Sequence, residues 1–322
     1  MAETFRDLIA ENKRKSFWLV AGFFLFTFVV CGVLGLAIIL IIDPSLADRV
    51  SWVSGIAVGL IAGLLSFLFM YLAYMEGDSM ILGVSGAKPL AKADDPQLYN
   101  VVEEMAIAAG VPVPKLYLID DSAPNAFATG RAPEHASVAI TTGLRDKLNR
   151  EELQGVIAHE MAHVRNYDIR LMMLMAVLIG SIVMLADFFW QMMWYSRGGR
   201  RSSRRDDDKG GGGWIVLIVI VLAIVLAIVA PILAQIIQLA VSRQREYLAD
   251  ASAVELTRNP LGLASALRKI DEDPDVLEAA NRGTAHLFIA NPIKTFEARA
   301  SSMFASHPPI KDRIQRLESL VS

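Results

Sequence analysis

The chain has 322 residues, 54% of them hydrophobic, and a mean hydropathy of +0.41. That composition is too apolar for an ordinary soluble domain and indicates a membrane protein. The formal charge of -3 excludes a global attraction to nucleic acid or to anionic lipid, so no nucleic-acid partner is expected. The single cysteine, Cys31, excludes an internal disulfide and a cysteine-based zinc site.

Two strong apolar runs follow a basic N-terminal tail and predict membrane helices. Residues 17–42 and 52–75 are each long enough to cross a hydrocarbon core, and a short polar turn separates them. No small-residue cleavage pattern follows the first run, so we expect it to be retained as a span. Residues 1–75 are therefore predicted to form the tail and a transmembrane hairpin.

Two weaker apolar runs predict a second hairpin over residues 171–241. The linker inside it, residues 196–213, is rich in arginine and glycine and is predicted to be disordered. Its basic residues conflict with the positive-inside rule if both runs cross, so either this hairpin does not span fully or the earlier charges determine the orientation. In both cases the basic N-terminal tail predicts that the polar segments face the cytoplasm.

The polar segments, residues 76–170 and 242–322, are predicted to form the two parts of one catalytic domain. Asp95, Pro96 and Gly110 delimit a helix as its N-cap, first residue and end. The composition of "PKLYLID" and "ASVAITT" indicates strands, with "NAFATG" between them as a short edge strand. These signals together predict a small sheet that packs beside helices.

The stretch "VIAHEMAHVRNYD" contains two histidines with metal-ligand spacing. An N-cap at Asn149, with Glu152 three positions later, predicts a helix on which His159 and His163 lie one turn apart on the same face. Glu160 is turned about 100° around the axis, outside the ligand set but near enough to act on a water that the metal activates. This spacing supplies two of the three protein ligands of a catalytic zinc ion.

The alternative is a pair of histidines on an amphipathic surface helix. The flanking residues are almost all apolar, which predicts a buried helix, and buried histidines beside a glutamate need a partner such as a cation. A third ligand is available in "SRQREYLADASA", where Glu246 can ligate while Asp250, four positions later, holds a ligating imidazole. In isolation, a carboxylate pair with this spacing is typical of a solvent-exposed helix face; beside the two-histidine motif, it favours a metal site. Asp168 is predicted to cap the helix that follows it.

The order of "HEMAHVRNYD", a membrane hairpin, "REYLADASA" and "SHPPIKDRI" resembles the HtpX family of heat-shock-associated bacterial membrane zinc metalloproteases. These gluzincins are related to the CAAX-processing and mitochondrial Oma-type peptidases, and the resemblance covers nearly the whole chain. It implies a mainly α integral membrane protein with about four transmembrane helices and an α+β zincin-like domain. The arginine- and glycine-rich linker departs from the family pattern.

The resemblance also implies roles for individual residues. It makes His159, His163 and Glu246 the ligands of one Zn²⁺ per chain, Glu160 the general base and Asp250 a partner of a ligand. It further implies a site that faces the cytoplasm in the bacterial inner membrane, with misfolded or damaged membrane proteins as substrates.

Two further features are candidates for substrate handling. His307, in "SHPP", is the candidate donor to the oxyanion, with a helix-capping role as the alternative. The edge strand offers Asn125, Ala126, Phe127 and Gly130 for binding an extended peptide, with an ordinary strand and turn as the alternative.

These observations predict a membrane-bound zinc endopeptidase that hydrolyses misfolded membrane proteins. An inactive metal-binding scaffold or holdase is a second reading, and Glu160 speaks against it because a structural site has no need of that carboxylate. A small transporter is a third reading, which does not explain the large soluble fraction. The sequence predicts no oligomeric state.

Overall fold

The computed structural model describes residues 52–178, 243–280, 284–290 and 308–321, together with a few positions between 10 and 25. The described residues belong to two compact units, one drawn from 1–17, 74–177 and 236–322, the other from 18–73 and 178–235. The predicted linker at 196–213, the apolar run at 214–241 and most of the run at 17–42 lie outside the described residues, as does His307.

Helix α1 spans Trp52–Val84, 33 residues, and contains the second predicted apolar run. Large apolar side chains such as Leu64 and Phe67 are exposed along it. Of the helices within the described ranges, none combines the length and apolar content that crossing a bilayer takes. The number of membrane spans stays a prediction.

The first helix after α1 has the ends that the sequence predicts. Helix α2 spans Pro96–Ala109, and the Asp95 carboxylate accepts a hydrogen bond from the Leu98 amide at 3.0 Å. It stops at Gly110, whose φ of 68° lies in the left-handed region that glycine adopts without steric cost. The predicted cap, first residue and end of α2 are confirmed.

A four-stranded sheet follows, with strands β1 (Lys88–Pro89), β2 (Lys115–Ile119), β3 (Ala126–Thr129) and β4 (Ser137–Thr141). Their spatial order is β1-β2-β4-β3; β2 and β4 are parallel, and the other two pairs are antiparallel. The three predicted strands are confirmed, whereas the two-residue β1 was not predicted. Within the described residues β3 is an edge strand, as predicted.

The remaining helices surround the one that carries the two histidines. They are α3 (Thr142–Lys147), α4 (Arg150–Arg165), α5 (Arg243–Thr257), α6 (Pro260–Glu272) and α7 (Ile310–Glu318), with short 3₁₀ turns at Pro133–His135 and Ala285–Leu287. Helix α4 packs against α2, α5, α6 and strand β3. The two polar segments of the sequence therefore meet around α4.

Helix α4 begins at a complete capping box and packs closely on α6. The Asn149 side chain accepts from the Glu152 amide at 2.9 Å, and the Glu152 carboxylate accepts from the Asn149 amide at 2.8 Å. Gly155 allows the close approach of α6, because an added Cβ would lie 2.8 Å from the Leu263 amide nitrogen. These contacts fix the position of the helix face that bears the histidines.

Candidate metal centre

The two histidines of α4 converge inside the protein. His159 and His163 are 1% and 4% exposed, and their rings are almost perpendicular, at 87°. Their Nε2 atoms are 3.2 Å apart. One turn of helix thus places two imidazole nitrogens side by side in a buried site.

Glu246, on α5, completes a three-ligand cluster. Its Oε1 lies 3.5 Å from Nε2 of His163, and its Oε2 lies 3.6 Å from Nε2 of His159. A tetrahedral zinc ion with ligand bonds of about 2.0–2.1 Å holds its ligand atoms about 3.3 Å apart. The residues present therefore fit such an ion, and the structure groups these three side chains as a possible metal site.

Both imidazoles are oriented by a carboxylate on the opposite side of the ring. Nδ1 of His159 lies 3.0 Å from Asp250, and Nδ1 of His163 lies 3.0 Å from Asp168. A carboxylate acceptor holds the proton on Nδ1, which leaves the Nε2 lone pair free to bind a metal. Asp250 thus lies beside the His159 imidazole, and Asp168 contacts the other candidate ligand, His163.

Two buried arginines hold these carboxylates in turn. Arg313, which is 0% exposed, donates two hydrogen bonds to Asp250, at 2.9 Å from Nε and 2.7 Å from Nη2. Its Nη1 donates to the Ile289 carbonyl at 2.8 Å. Arg245 donates from Nη1 to Asp168 at 3.4 Å. Each imidazole therefore lies at the end of an arginine–aspartate pair.

The charges of this buried cluster call for a divalent cation. Besides the two imidazoles, its ionisable side chains are at most 9% exposed; they are four carboxylates and two guanidiniums, namely Glu160, Asp168, Glu246, Asp250, Arg245 and Arg313. With neutral imidazoles, four negative and two positive charges leave a net charge of -2. Uncompensated charge is costly in a buried site, and one divalent cation would neutralise it.

Without a cation, protons on the imidazoles compensate this charge. Burial alone would lower the pKa of His159, but hydrogen bonds with Asp250 and Glu246 outweigh it and raise that pKa to about 9. The pKa of His163 is also raised, since the hydrogen bond with Asp168 and the charge of Glu246 outweigh burial. A metal ion would replace these protons.

The carboxyl groups of Glu160 and Asp250 shift in opposite directions. Burial raises the pKa of Glu160, although the two imidazoles oppose the shift. Burial would also raise the pKa of Asp250, but Arg313 and His159 outweigh it and lower that pKa to about 2. Asp250 is thus a permanent anion, whereas Glu160 is suited to accept and return a proton.

Glu160 lies between the ligands and the sheet. It is 1% exposed, and the backbone amide of Ala128 on β3 is near enough to oppose the rise of its pKa. This interaction links the candidate base to the edge strand at which we expected a peptide to bind.

The predicted substrate residues of the edge strand make interior contacts. The Asn125 side chain donates to the Ala290 carbonyl at 3.1 Å and accepts from the Ala290 amide at 3.4 Å. The Ala126 carbonyl accepts from the Ile289 amide at 2.9 Å. Residues 289 and 290 therefore lie along one end of β3, and contact of Asn125 and Ala126 with a substrate stays a prediction.

Phe127 and Gly130 also have local structural partners. Phe127 is fully buried, with its ring edge-to-face against Phe288 at 5.0 Å between centroids. Gly130 has a φ of 142°, and an added Cβ would lie 2.4 Å from the His135 carbonyl oxygen. Only glycine fits this close approach. The predicted apolar contact of Phe127 is thus made within the protein.

Sequence reasoning missed Arg313, Arg245 and the contact of Asp168 with His163. Arg313 does have a signal, because it lies between Ile310 and Leu317 on the apolar face of α7. An arginine on such a face needs a buried partner. Asp168 follows the motif closely, but spacing does not show that its chain folds back onto the histidine.

The chain was compared with known proteins. The model of "Peptidase family M48" matches residues 92–321. A "Protease HtpX homolog" from Levilactobacillus brevis is 44% identical over 315 residues, covering 98% of this chain and 99% of that protein. One from Dictyoglomus thermophilum is 43% identical over 321 residues, covering 98% and 95%.

Among solved structures, the crystal structure of S. mikatae Ste24p is similar, with a TM-score of 0.47 and 21% identity over 94% of this chain and 66% of that one.

Proposed function

This chain belongs to peptidase family M48, and we propose that it is a zinc-dependent endopeptidase of the bacterial inner membrane. The resemblance that the motifs predicted is confirmed, and the chain is a metalloprotease. The convergence of His159, His163 and Glu246 on one point is the observation that carries the proposal.

We propose one Zn²⁺ per chain at this cluster. Two imidazole nitrogens and one carboxylate are donors that zinc accepts, and three protein ligands leave the fourth position of a catalytic site open. When bound, zinc acts as a Lewis acid that acidifies water and polarises the scissile carbonyl. Asp250 keeps the His159 imidazole in the tautomer that can bind it.

Glu160 is proposed as the general base. It would take a proton from the attacking water and pass it to the leaving amine. Burial raises its pKa, which suits a group that must both accept and release a proton near neutral pH. The Ala128 amide of the edge strand lies near enough to its carboxylate to oppose this shift. His307 is proposed as the donor to the oxyanion.

The backbone of β3 is proposed to bind the substrate. The Asn125 carbonyl accepts from the Thr141 amide at 3.0 Å, so Asn125 faces β4. Backbone groups alternate along an antiparallel strand, and those of Ala126 and Ala128 therefore point away from β4. Because Ile289 occupies the Ala126 carbonyl, the Ala128 carbonyl is our candidate acceptor for a peptide amide of the substrate.

We propose that the residues in and beside β3 support substrate binding by forming the edge strand and its local contacts; they are Asn125, Ala126, Phe127 and Gly130. N-methylation of successive amides in a peptide substrate tests the idea. Methylation of the one amide that meets Ala128 should lower kcat/KM about tenfold, the effect of losing one hydrogen bond of about 1.4 kcal/mol. Equal cleavage of all methylated peptides would rule out pairing with the edge strand.

We propose that α1 and the other apolar runs anchor the protein in the inner membrane and that the catalytic unit faces the cytoplasm. The exposed apolar side chains of α1 support this, as does the basic N-terminal tail. An anchored protease would act on unfolded or misfolded membrane proteins.

A Lys311→Cys variant in a Cys31→Ser background tests the orientation, because a membrane-impermeant maleimide should label it only after the inner membrane is opened. Labelling in intact spheroplasts would contradict it.

The proposed mechanism is tested with Glu160→Gln. Purified parent protein should hold close to one zinc and cleave an unfolded casein-like substrate, whereas the variant should keep the metal and lose about 10²–10⁴-fold in kcat. Glu151→Gln is the matched control, since Glu151 lies on the exposed face of the same helix. Normal cleavage by Glu160→Gln would show that another group acts as the base.

A further inference from the structure

We infer that Asp168 and Arg245 are positioning residues of the metal centre, which act through the His163 imidazole. The inference rests on the proposed metal site and adds a second carboxylate to the one that Asp250 supplies. Asp168 is 4% exposed, and its Oδ2 lies 3.0 Å from Nδ1 of His163. A carboxylate at this position fixes both the ring orientation and the proton of a ligating histidine.

The backbone turn after α4 delivers Asp168 to this place. Helix α4 ends at Arg165, and Tyr167 has a φ of 60°, in the left-handed region that a side chain other than glycine rarely adopts. The chain is helical again over residues 168–178. Such strained residues persist where the surrounding structure determines them, and they concentrate at functional sites. Here the turn brings a side chain only five positions after His163 back onto its ring.

Arg245 holds the other oxygen of the same carboxylate. Its Nη1 lies 3.4 Å from Oδ1 of Asp168, and the arginine immediately precedes the ligand Glu246 on α5. Among the described residues, its Nη2 is buried without a hydrogen-bond partner. One residue on α5 thus binds the metal, while its neighbour fixes the carboxylate behind a ligand from α4.

An aspartate–arginine pair therefore lies behind each imidazole, but the hydrogen bonds of the two pairs differ in number and length. Arg313 binds Asp250 through two hydrogen bonds of 2.9 and 2.7 Å, whereas Arg245 makes a single contact of 3.4 Å with Asp168. We expect loss of Asp168 to weaken zinc binding clearly and loss of Arg245 to weaken it less. Because Arg245 acts through Asp168, its removal should have little effect once Asp168 is gone.

Zinc affinity, measured by competition with a chromogenic chelator, tests the assignment. Asp168→Ala should bind zinc about 10–100-fold more weakly than the parent protein. Asp168→Asn, which keeps an oxygen acceptor for the Nδ1 proton, should recover most of that loss. Arg245→Gln should weaken binding by a smaller factor alone and by no further factor in the Asp168→Ala background.

The turn is tested separately with a pair of variants at Tyr167. Tyr167→Gly and Tyr167→Val both remove the aromatic ring, but glycine favours the left-handed conformation and the β-branched valine opposes it. Zinc affinity should stay near that of the parent protein in Tyr167→Gly and fall in Tyr167→Val. Equal affinities in the two variants would remove the turn from the assignment.

The thermal stability of the metal-free variants separates positioning from folding. If Asp168→Ala binds zinc as tightly as the parent, or if Arg245→Gln and Asp168→Ala act additively, the assignment is overturned. Loss of metal-free stability in Asp168→Ala, with no greater loss of zinc affinity than in Asp168→Asn, also overturns it. A parent protein that binds no zinc instead contradicts the proposed function.

Discussion

Replacing Arg313 by methionine should lower the unfolding temperature of the protein by about 6–20 °C. Arg313 is 0% exposed and is the counterion of Asp250, which the substitution leaves buried with the His159 imidazole alone. Breaking a buried ion pair by removing one partner costs about 3–5 kcal/mol. Each kcal/mol corresponds to about 2–4 °C in a domain of roughly 150–250 residues, which gives the predicted range.

Far-ultraviolet circular dichroism of the detergent-solubilised, metal-free protein measures this shift. The matched control is Arg268→Met, because Arg268 and Glu318 form an ion pair that is about half exposed, at 47% and 46%. Exposed pairs contribute only about 0–1 kcal/mol, so the control should stay close to the parent protein.

A double variant tests the cause of the loss. Adding Asp250→Asn to Arg313→Met removes the excess negative charge that the loss of Arg313 leaves in the buried cluster and should recover part of the lost stability. An Arg313→Met protein that unfolds as the Arg268→Met control does would refute the view that Arg313 compensates a buried charge.

Three other changes probe the same region. Asp250→Ala should weaken zinc binding about 10–100-fold in chelator competition, and an unchanged affinity would show that Asp250 does not tune the imidazole. Zinc affinity should fall at least tenfold per pH unit as the pH drops below about 9, because His159 must lose the proton that its raised pKa retains and His163, whose pKa is also raised, adds to the effect; a dissociation constant independent of pH between about 6 and 8 would contradict this. Gly155→Ala should destabilise the protein by about 1–3 kcal/mol in chemical unfolding, although alanine favours helix by about 1 kcal/mol, since its Cβ would lie 2.8 Å from the Leu263 amide nitrogen. A more stable Gly155→Ala would show that α6 can move away.

Much of the catalytic unit could be predicted from the sequence because its signals are local. Asp95 and Gly110 end a helix through side-chain and backbone preferences that act within a few residues. The capping box at Asn149 likewise fixes the start of α4 and hence the face on which His159 and His163 lie. Glu246 could be proposed as well, because a two-histidine motif requires a further ligand.

The support of the site could not be predicted in the same way, because it depends on partners distant in sequence. Asn125 was proposed to contact substrate from its polarity, yet its amide is bonded to Ala290, which lies in another part of the chain. The aspartate–arginine pairs behind the imidazoles likewise join α5 to α7 and to the end of α4. A local sequence pattern indicates that such polar residues need partners, but it does not identify those partners.

The metal centre itself is tested most directly by X-ray absorption at the zinc edge of the purified protein. We predict one zinc per chain, with two imidazole nitrogens at about 2.0–2.1 Å and a carboxylate oxygen at about 2.0–2.2 Å. His163→Ala should remove one imidazole from that shell or abolish zinc binding, and Glu246→Ala should remove the carboxylate or the metal. A zinc shell that neither substitution changes would contradict the claim that these side chains bind one ion.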